Sequence, residues 1–288
     1  MSTFTIDLAQ LMALVADEVR RAERPTPARC ACHGTADDYC PDRLRRVVNA
    51  GAGRLGLQAS GRPEAGLAGF IDHTLLKPDA TRQEIDRLCA EAAEHGFATV
   101  CVNPCWVARC ADALRGSGVG VCSVVGFPLG AAVTEIKIAE TERALADGAS
   151  EIDMVINVGA LKSGDLVWVE RDMAGVAAAC RACGALCKVI LEMAYLDETE
   201  KVTACVLAKA AGADYVKTST GFGPGGATVA DVELMRRVVG PEMGVKAAGG
   251  VRDVTSAKAM IEAGATRVGA SAGVQILRGA AADPAARY

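Results

Sequence analysis

From about residue 67 onward, short apolar runs rich in β-branched residues alternate with longer runs of helical periodicity. The strand-length runs fall at 69–73, 99–102, 120–125, 151–157, 187–193, 215–220, 245–250 and 267–271, each followed by a helical pattern. Most are continuously apolar rather than alternating, as parallel strands buried on both faces require. Glycines close the helices in His95-Gly96-Phe97, Asp147-Gly148-Ala149, Ala211-Gly212-Ala213 and Ala263-Gly264-Ala265. Each suits the left-handed residue that leads from a helix end into the next strand. Thr81 and Glu84 have capping-box spacing at a helix start. Eight such units in about 210 residues predict an α/β protein of the (β/α)8, or TIM-barrel, class. A doubly wound open sheet is the alternative, but no Gly-x-Gly-x-x-Gly follows a strand.

The chain ahead of this pattern is organised differently. Leu8, Leu11, Met12, Val15, Val19 and Ala22 recur at three- and four-residue steps, so residues 5–23 read as an amphipathic helix. Arg24-Pro25-Thr26-Pro27 breaks it. A cysteine cluster at 30–40, a helical stretch near 42–50 and a soft joint at 58–63 follow. The expected division is therefore 1–24 as a helical segment, 25–66 as a cysteine-bearing linker and 67–288 as the barrel.

Composition narrows the function. The chain has 288 residues, 51% of them apolar, and a formal net charge of −4. This balance gives no reason to expect nucleic-acid binding. No run approaches the roughly 20 apolar residues of a membrane span, and Asp7, Asp17 and Glu18 interrupt any secretory apolar core. A cytoplasmic location is expected, with the 12 cysteines as thiols or metal ligands rather than a disulfide framework.

In a barrel of this class the active site lies at the C-terminal ends of the strands. Those ends carry Asp72-His73-Thr74, Cys101-Val102-Asn103, Asp153, Asn157, Glu192, Lys217 to Thr220, Lys246 to Gly250 and Gly269-Ala270-Ser271. Charges in interior strands are informative because an unpaired buried charge is costly. Three lysines occupy such strands: Lys188, Lys217 and Lys246. A lysine in a confined apolar site gives up its proton more readily, and a second cation beside it adds to the effect. Lys246, one strand along from Lys217, could be that cation, and a neutral amine is what attack on a carbonyl needs. The competing reading is structural: the lysines pair with Asp153 and Glu192 and do no chemistry. Asp153 can serve proton transfer or simply hold an ammonium. Gly249-Gly250 after strand seven, Gly269 with Ser271 at strand eight and the glycine-rich run 220–226 suit a phosphate, although tight turns alone would also use them.

The same residues form a family signature. Ile71-Asp72-His73-Thr74-Leu75-Leu76-Lys77-Pro78, Val100-Cys101-Val102-Asn103-Pro104, Val125-Gly126-Phe127-Pro128-Leu129-Gly130, Glu151-Ile152-Asp153-Met154-Val155, Lys217-Thr218-Ser219-Thr220-Gly221-Phe222 and Lys246-Ala247-Ala248-Gly249-Gly250-Val251-Arg252 resemble the deoxyribose-phosphate aldolases over about residues 67–280. The resemblance implies reversible cleavage of 2-deoxy-D-ribose 5-phosphate to D-glyceraldehyde 3-phosphate and acetaldehyde through a lysine Schiff base, with no cofactor. It implies that Lys217 forms the imine, that Lys246 favours the neutral amine and that Asp153 relays protons. Asp72, Cys101, Thr220 and Gly221 would line the pocket, and Gly249, Gly250 and Ser271 would hold the phosphate. Ala272 stands where some relatives carry a second serine. Two other functions remain open: a Schiff-base aldolase for other aldehydes, and a non-catalytic cargo or scaffold protein on the same barrel.

The extension allows separate expectations. Cys30, Cys32, His33 and Cys40 offer four ligands that suit zinc, with an iron–sulfur cluster as a second reading and a cysteine-bearing linker as the plain one. The helix at 5–23 can pack on the barrel or a second subunit, or dock in a partner's groove. A helix, a Pro-rich linker and then an enzyme resembles the encapsulation peptides of bacterial microcompartment cargo, which implies a shell-protein partner. A homo-oligomer is expected from the family resemblance.

Overall fold

The computed structural model describes residues 66–279. The helix at 5–23, the Cys30, Cys32, His33 and Cys40 set and the linker up to residue 65 lie outside the described residues, as do residues 280–288.

Eight parallel strands close into a barrel in sequence order. They are β1 (Ile71–Leu75), β2 (Thr99–Val102), β3 (Gly120–Val125), β4 (Glu151–Val155), β5 (Leu186–Ile190), β6 (Tyr215–Lys217), β7 (Gly244–Ala248) and β8 (Arg267–Ala270). Helices α1 (Arg82–His95), α2 (Val107–Ala113), α3 (Thr134–Ala146), α4 (Val158–Lys162), α5 (Leu166–Ala182), α6 (Glu198–Ala210), α7 (Val229–Val239), α8 (Val254–Glu262) and α9 (Gly273–Arg278) connect and follow them. β8 pairs with β1, and that pairing excludes the open-sheet alternative.

The apolar faces of both layers meet between them. The main core joins outward strand residues such as Val100, Ile152, Val189 and Val268 to Ile85, Met173, Val206 and Met235 of the helices. This burial of strands on their outer face, together with a filled interior, explains their continuously apolar sequences. The helix punctuation behaves as expected. Thr81 and Glu84 close a reciprocal capping box on α1, and Gly96, Gly148, Gly212 and Gly264 all take positive φ.

Boundaries differ from the sequence expectation on six of the eight strands, and at β1, β5 and β6 the backbone shows why. The run 67–70 forms a 3-10 turn in which the Gly69 amide donates to the Gly66 carbonyl, so β1 begins at Ile71. β5 ends at Ile190 because Glu192 turns into the left-handed region, with φ at 55°. β6 ends at Lys217, beyond which Thr218 bonds to β7 through its amide and its hydroxyl. An apolar run does not itself distinguish a strand from a buried turn.

Candidate active site

Period-two alternation turns one residue of each adjacent pair into the barrel. Glu151 and Asp153 on β4 share the inner face, as do Lys188 on β5, Lys217 on β6, Lys246 on β7 and Arg267 on β8. Contacts between non-adjacent strands demonstrate this: Asp153 reaches Lys246 at 2.7 Å, and Glu151 reaches Arg267 at 3.2 Å.

Asp153 is the hub. Its Oδ1 accepts from Lys188 Nζ at 2.8 Å, and its Oδ2 accepts from Lys217 Nζ at 2.8 Å and Lys246 Nζ at 2.7 Å. Asp72 holds the far side of the network: its Oδ2 forms an ion pair with Lys246 at 2.5 Å, and its Oδ1 accepts from Arg267 at 2.6 Å and the Thr99 hydroxyl at 2.7 Å. Lys188 also pairs with Glu151 at 2.6 Å. Burial opposes ionisation of Asp153, yet Lys188, Lys217 and Lys246 hold its carboxyl well below the usual range. Asp72 is lowered in the same way, against its own burial, by Arg267, Lys246 and Lys188. Burial likewise works against the Lys188 and Lys246 ammoniums, but the facing carboxylates keep both above the ordinary lysine value.

Within ion-pair distance Lys188, Lys217, Lys246 and Arg267 face three carboxylates, Asp72, Glu151 and Asp153, and the Glu192 carboxylate acts on Lys217 from farther off. Lys217 is the least supported of the four. It has one carboxylate partner, shared with two other ammoniums, whereas Lys188 and Lys246 each have at least two. Its side chain is 3% exposed and theirs are 0%.

Beside the charges lies a small apolar cluster of Leu76, Cys101, Cys122 and Val124, with Phe127 packed on it. Cys122 Sγ stands 3.1 Å from Asp153 Oδ1 and Cys101 Sγ 4.0 Å from Oδ2. Burial, then the bond to Cys101, pushes the Cys122 thiol well up, while the same bond lowers Cys101. Cys101, Cys122 and Asp153 place their ligand atoms within 4.8 Å of one another, the spacing of a metal site. A cation there would displace ammoniums from Asp153 and stand among three more positive charges.

Among the residues expected at the site, Lys217, Lys246, Asp153 and Cys101 therefore meet inside the barrel. Asp72 does not reach the mouth: β1 starts two residues later than expected, so Asp72 sits low in the barrel, fully buried, as an anchor for Lys246 and Arg267. Thr220 is also buried and gives its hydroxyl to Glu192 rather than to open space. Gly221, at φ 90°, begins the loop beyond it. Gly249 needs its glycine: at φ 92° a Cβ would stand 2.9 Å from Gly226 Cα, so the loops after β6 and β7 touch through backbone. Gly250 is exposed, also at positive φ, with nothing within 4 Å of a Cβ position. Ser271 follows β8, half-buried, two residues before α9.

Lys188 forms pairs with Asp153 but not with Glu192, whose carboxylate turns to Thr220. Glu151, Arg267 and Cys122 were not expected at the site. Counting by twos from Asp153 to Glu151, and from Ser271 through Gly269 to Arg267, gives their inward parity. His73 faces the helix layer, pairs with Glu91 at 2.7 Å and stays outside the cluster.

Residues 67–281 match the sequence pattern of the DeoC/LacD family aldolases. The chain belongs to that family. It is 64% identical over 211 residues to the deoxyribose-phosphate aldolase of Brevibacillus brevis, covering 73% of this chain and 95% of that one. It is 61% identical over 217 residues to deoxyribose-phosphate aldolase 1 of Bacillus licheniformis, covering 75% and 97%. The tetrameric deoxyribose phosphate aldolase of Aeropyrum pernix superposes with a TM-score of 0.71 at 33% identity, covering 83% of this chain and 97% of that one. The barrel is thus that of an aldolase, a carbon–carbon lyase, and no helix of the described residues is long and apolar enough to cross a membrane.

Proposed function

We propose that this aldolase cleaves 2-deoxy-D-ribose 5-phosphate reversibly to D-glyceraldehyde 3-phosphate and acetaldehyde through an imine on Lys217. The observation that carries the reading is that Lys217, of the three strand lysines, has a single carboxylate within ion-pair distance, shared with two other ammoniums, and is the one whose side chain is not fully buried. The substrate assignment is supported by relatives of that name at 61–64% identity over nearly their whole length.

The chemistry then follows from the geometry. The unprotonated Lys217 Nζ adds to C1 of the open-chain sugar, and loss of water leaves a protonated imine. A base removes the proton of the C3 hydroxyl, and the C2–C3 bond breaks. Its electron pair flows into the imine, releasing D-glyceraldehyde 3-phosphate and leaving an enamine. Protonation at C2 and hydrolysis release acetaldehyde and restore the amine. Asp153 Oδ2, shared between Lys217 and Lys246, is the carboxylate placed to pass these protons. Lys246, held charged by Asp72 and Asp153, stands beside Lys217 across the shared Asp153 Oδ2. The Gly249-Gly250 turn and Ser271 would receive the phosphate through backbone amides and a hydroxyl, as the loops after strands seven and eight do in this fold class.

Borohydride reduction in the presence of deoxyribose 5-phosphate, followed by peptide mass spectrometry, tests the assignment. The expected product is a single reduced adduct on Lys217. An adduct on Lys188 or Lys246 would keep the chemistry and overturn the residue, and no adduct would leave the non-catalytic scaffold reading standing.

For assembly and for the extension, the proposals go as far as their support. Leu129, Val133, Ile136 and Val167 are exposed large apolar side chains around the start of α3 and α5, which suits self-association. The sequence of residues 5–23 supports docking on a microcompartment shell protein, and that of Cys30, Cys32, His33 and Cys40 supports metal binding.

A further inference from the structure

Two aromatic rings have no part in the reaction as written. Phe127 follows β3 and Phe222 follows β6, strands three places apart in a closed ring of eight. Their rings nevertheless meet edge to face, with centroids 5.4 Å apart. In the ring of strands, β4 and β5, which carry Asp153 and Lys188, lie between β3 and β6, so these two loops meet across that side of the barrel mouth. Phe127 packs on the apolar cluster inside the barrel, whose two thiols contact Asp153, the carboxylate that holds the Lys217 amine. That apolar seat therefore adjoins the carbons an imine on Lys217 would carry.

Phe222 is held from behind. Its amide donates to Thr220 Oγ1 at 3.0 Å, and that hydroxyl donates to Glu192. The Thr220 amide donates to the same carboxylate, at 3.2 Å to Oε1. Glu192 is itself fixed by its neighbours, since the Leu191 and Met193 amides donate to the Lys217 and Thr218 carbonyls at 2.9 and 3.0 Å. Gly223 passes so close that a Cβ would stand 3.1 Å from the Glu192 carboxyl carbon. Among the described residues no cation lies within ion-pair distance of Glu192; the Lys217 charge acts on it from farther off, and its hydrogen bonds go to Thr220. A buried carboxylate spent on a loop otherwise rich in glycine fixes that loop in one place.

We propose that Phe127 and Phe222 form an aromatic cover over the imine side of the barrel mouth, that Glu192 is a positioning residue which holds Phe222 in it through Thr220, and that this cover limits the size of the donor aldehyde. The cover admits a two-carbon donor and disfavours one longer by a methylene, which would press on the rings. The inference rests on the imine reading above.

The test is the addition of donor aldehydes to D-glyceraldehyde 3-phosphate by the full chain, compared as kcat/KM for propanal over acetaldehyde. One methylene in an apolar pocket is worth about tenfold or more. Phe222→Ala is expected to raise the propanal-to-acetaldehyde ratio by about that factor, and Phe222→Tyr, which keeps the ring, to leave it unchanged. Glu192→Gln keeps the shape but leaves one acceptor oxygen for two donors, and is expected to move the ratio the same way by less. Phe222 is 43% exposed, so its replacement leaves the core intact. An unmoved ratio in a Phe222→Ala protein that still adds acetaldehyde overturns the cover. A ratio moved by Phe222→Ala but not by Glu192→Gln overturns the positioning role alone. If the unaltered chain forms no reducible adduct with acetaldehyde, the imine reading and the cover fall together; an adduct with an unmoved ratio sinks only the cover.

Discussion

At the scale of residues, the site is a problem in pairing buried charge. Asp153 neutralises part of three ammoniums at once, and removing its charge strands them inside the barrel. Breaking a buried pair by deleting one partner costs about 3–5 kcal/mol. Asp153→Asn is therefore expected to lose most cleavage activity and to melt well below the parent protein at pH 7. The sign with pH follows from the lowered carboxyl. A group depressed in the folded state contributes stability that is complete above its ordinary value of 3.8 and is lost as pH falls from there toward the folded value. The gap in melting temperature between the two proteins should thus narrow as pH is lowered through and below 4, as calorimetry at several pH values would measure. A gap that stays constant with pH would show that the Asp153 charge is not what the substitution removes. Glu192 titrates in the opposite sense: burial raises it, while the Thr220 bonds pull the other way. Its charge therefore costs stability as pH rises through its ordinary range.

At the scale of elements, each strand sets the height and face of its charged residue, and each loop sets what lies above it. Lys217 pairs in register with Lys246 across β6 and β7, and Asp153 with Lys188 across β4 and β5. A one-residue slip would turn each of these side chains into the helix layer. The loop after β3 is anchored on the end of β4. Gly130 takes φ 68°, and a Cβ there would lie 1.8 Å from the Ile156 carbonyl oxygen. Gly130→Ala meets both the steric penalty of positive φ and a backbone clash, and is expected to destabilise the protein by about 2 kcal/mol or more. Because this loop carries Phe127, catalytic efficiency should fall as well. Thermal melts and steady-state kinetics on the same preparation would check both, and a variant with parental melting would show that the loop is free to move off β4. Much of this level is legible in sequence. The glycines at helix ends, the Thr81 capping box and the parity of Lys217 with Ser219 all follow from local rules. The start of β1 is not, because Leu67-Ala68-Gly69-Phe70 is as apolar as the strand it precedes, and only the turn bond from Gly69 to Gly66 separates them.

At the scale of the whole molecule, the closed barrel lies within residues 66–279, and the curated relatives match it over 95% or more of their own length. Deleting residues 1–65 is expected to keep deoxyribose 5-phosphate cleavage within about twofold, since all eight barrel strands and Lys217, Lys246 and Asp153 lie beyond it. The same deletion should remove any co-purifying shell protein and any metal held by the extension. Activity assays, pull-down with shell proteins and elemental analysis would read the three outcomes; loss of cleavage would make the extension part of the enzyme. The sequence by itself determined the alternation of strands and helices, the positions of Lys217, Lys246 and Asp153 on strands, and the family, because periodicity, caps and contiguous motifs are local properties of a chain. Only the tertiary structure decided that Asp72 and Arg267 anchor the floor of the cluster, that Glu192 serves Thr220 rather than a lysine, and that Phe127 meets Phe222. Each of those pairings joins side chains from separate strands or loops, and their meeting depends on how the barrel closes rather than on any neighbour in sequence.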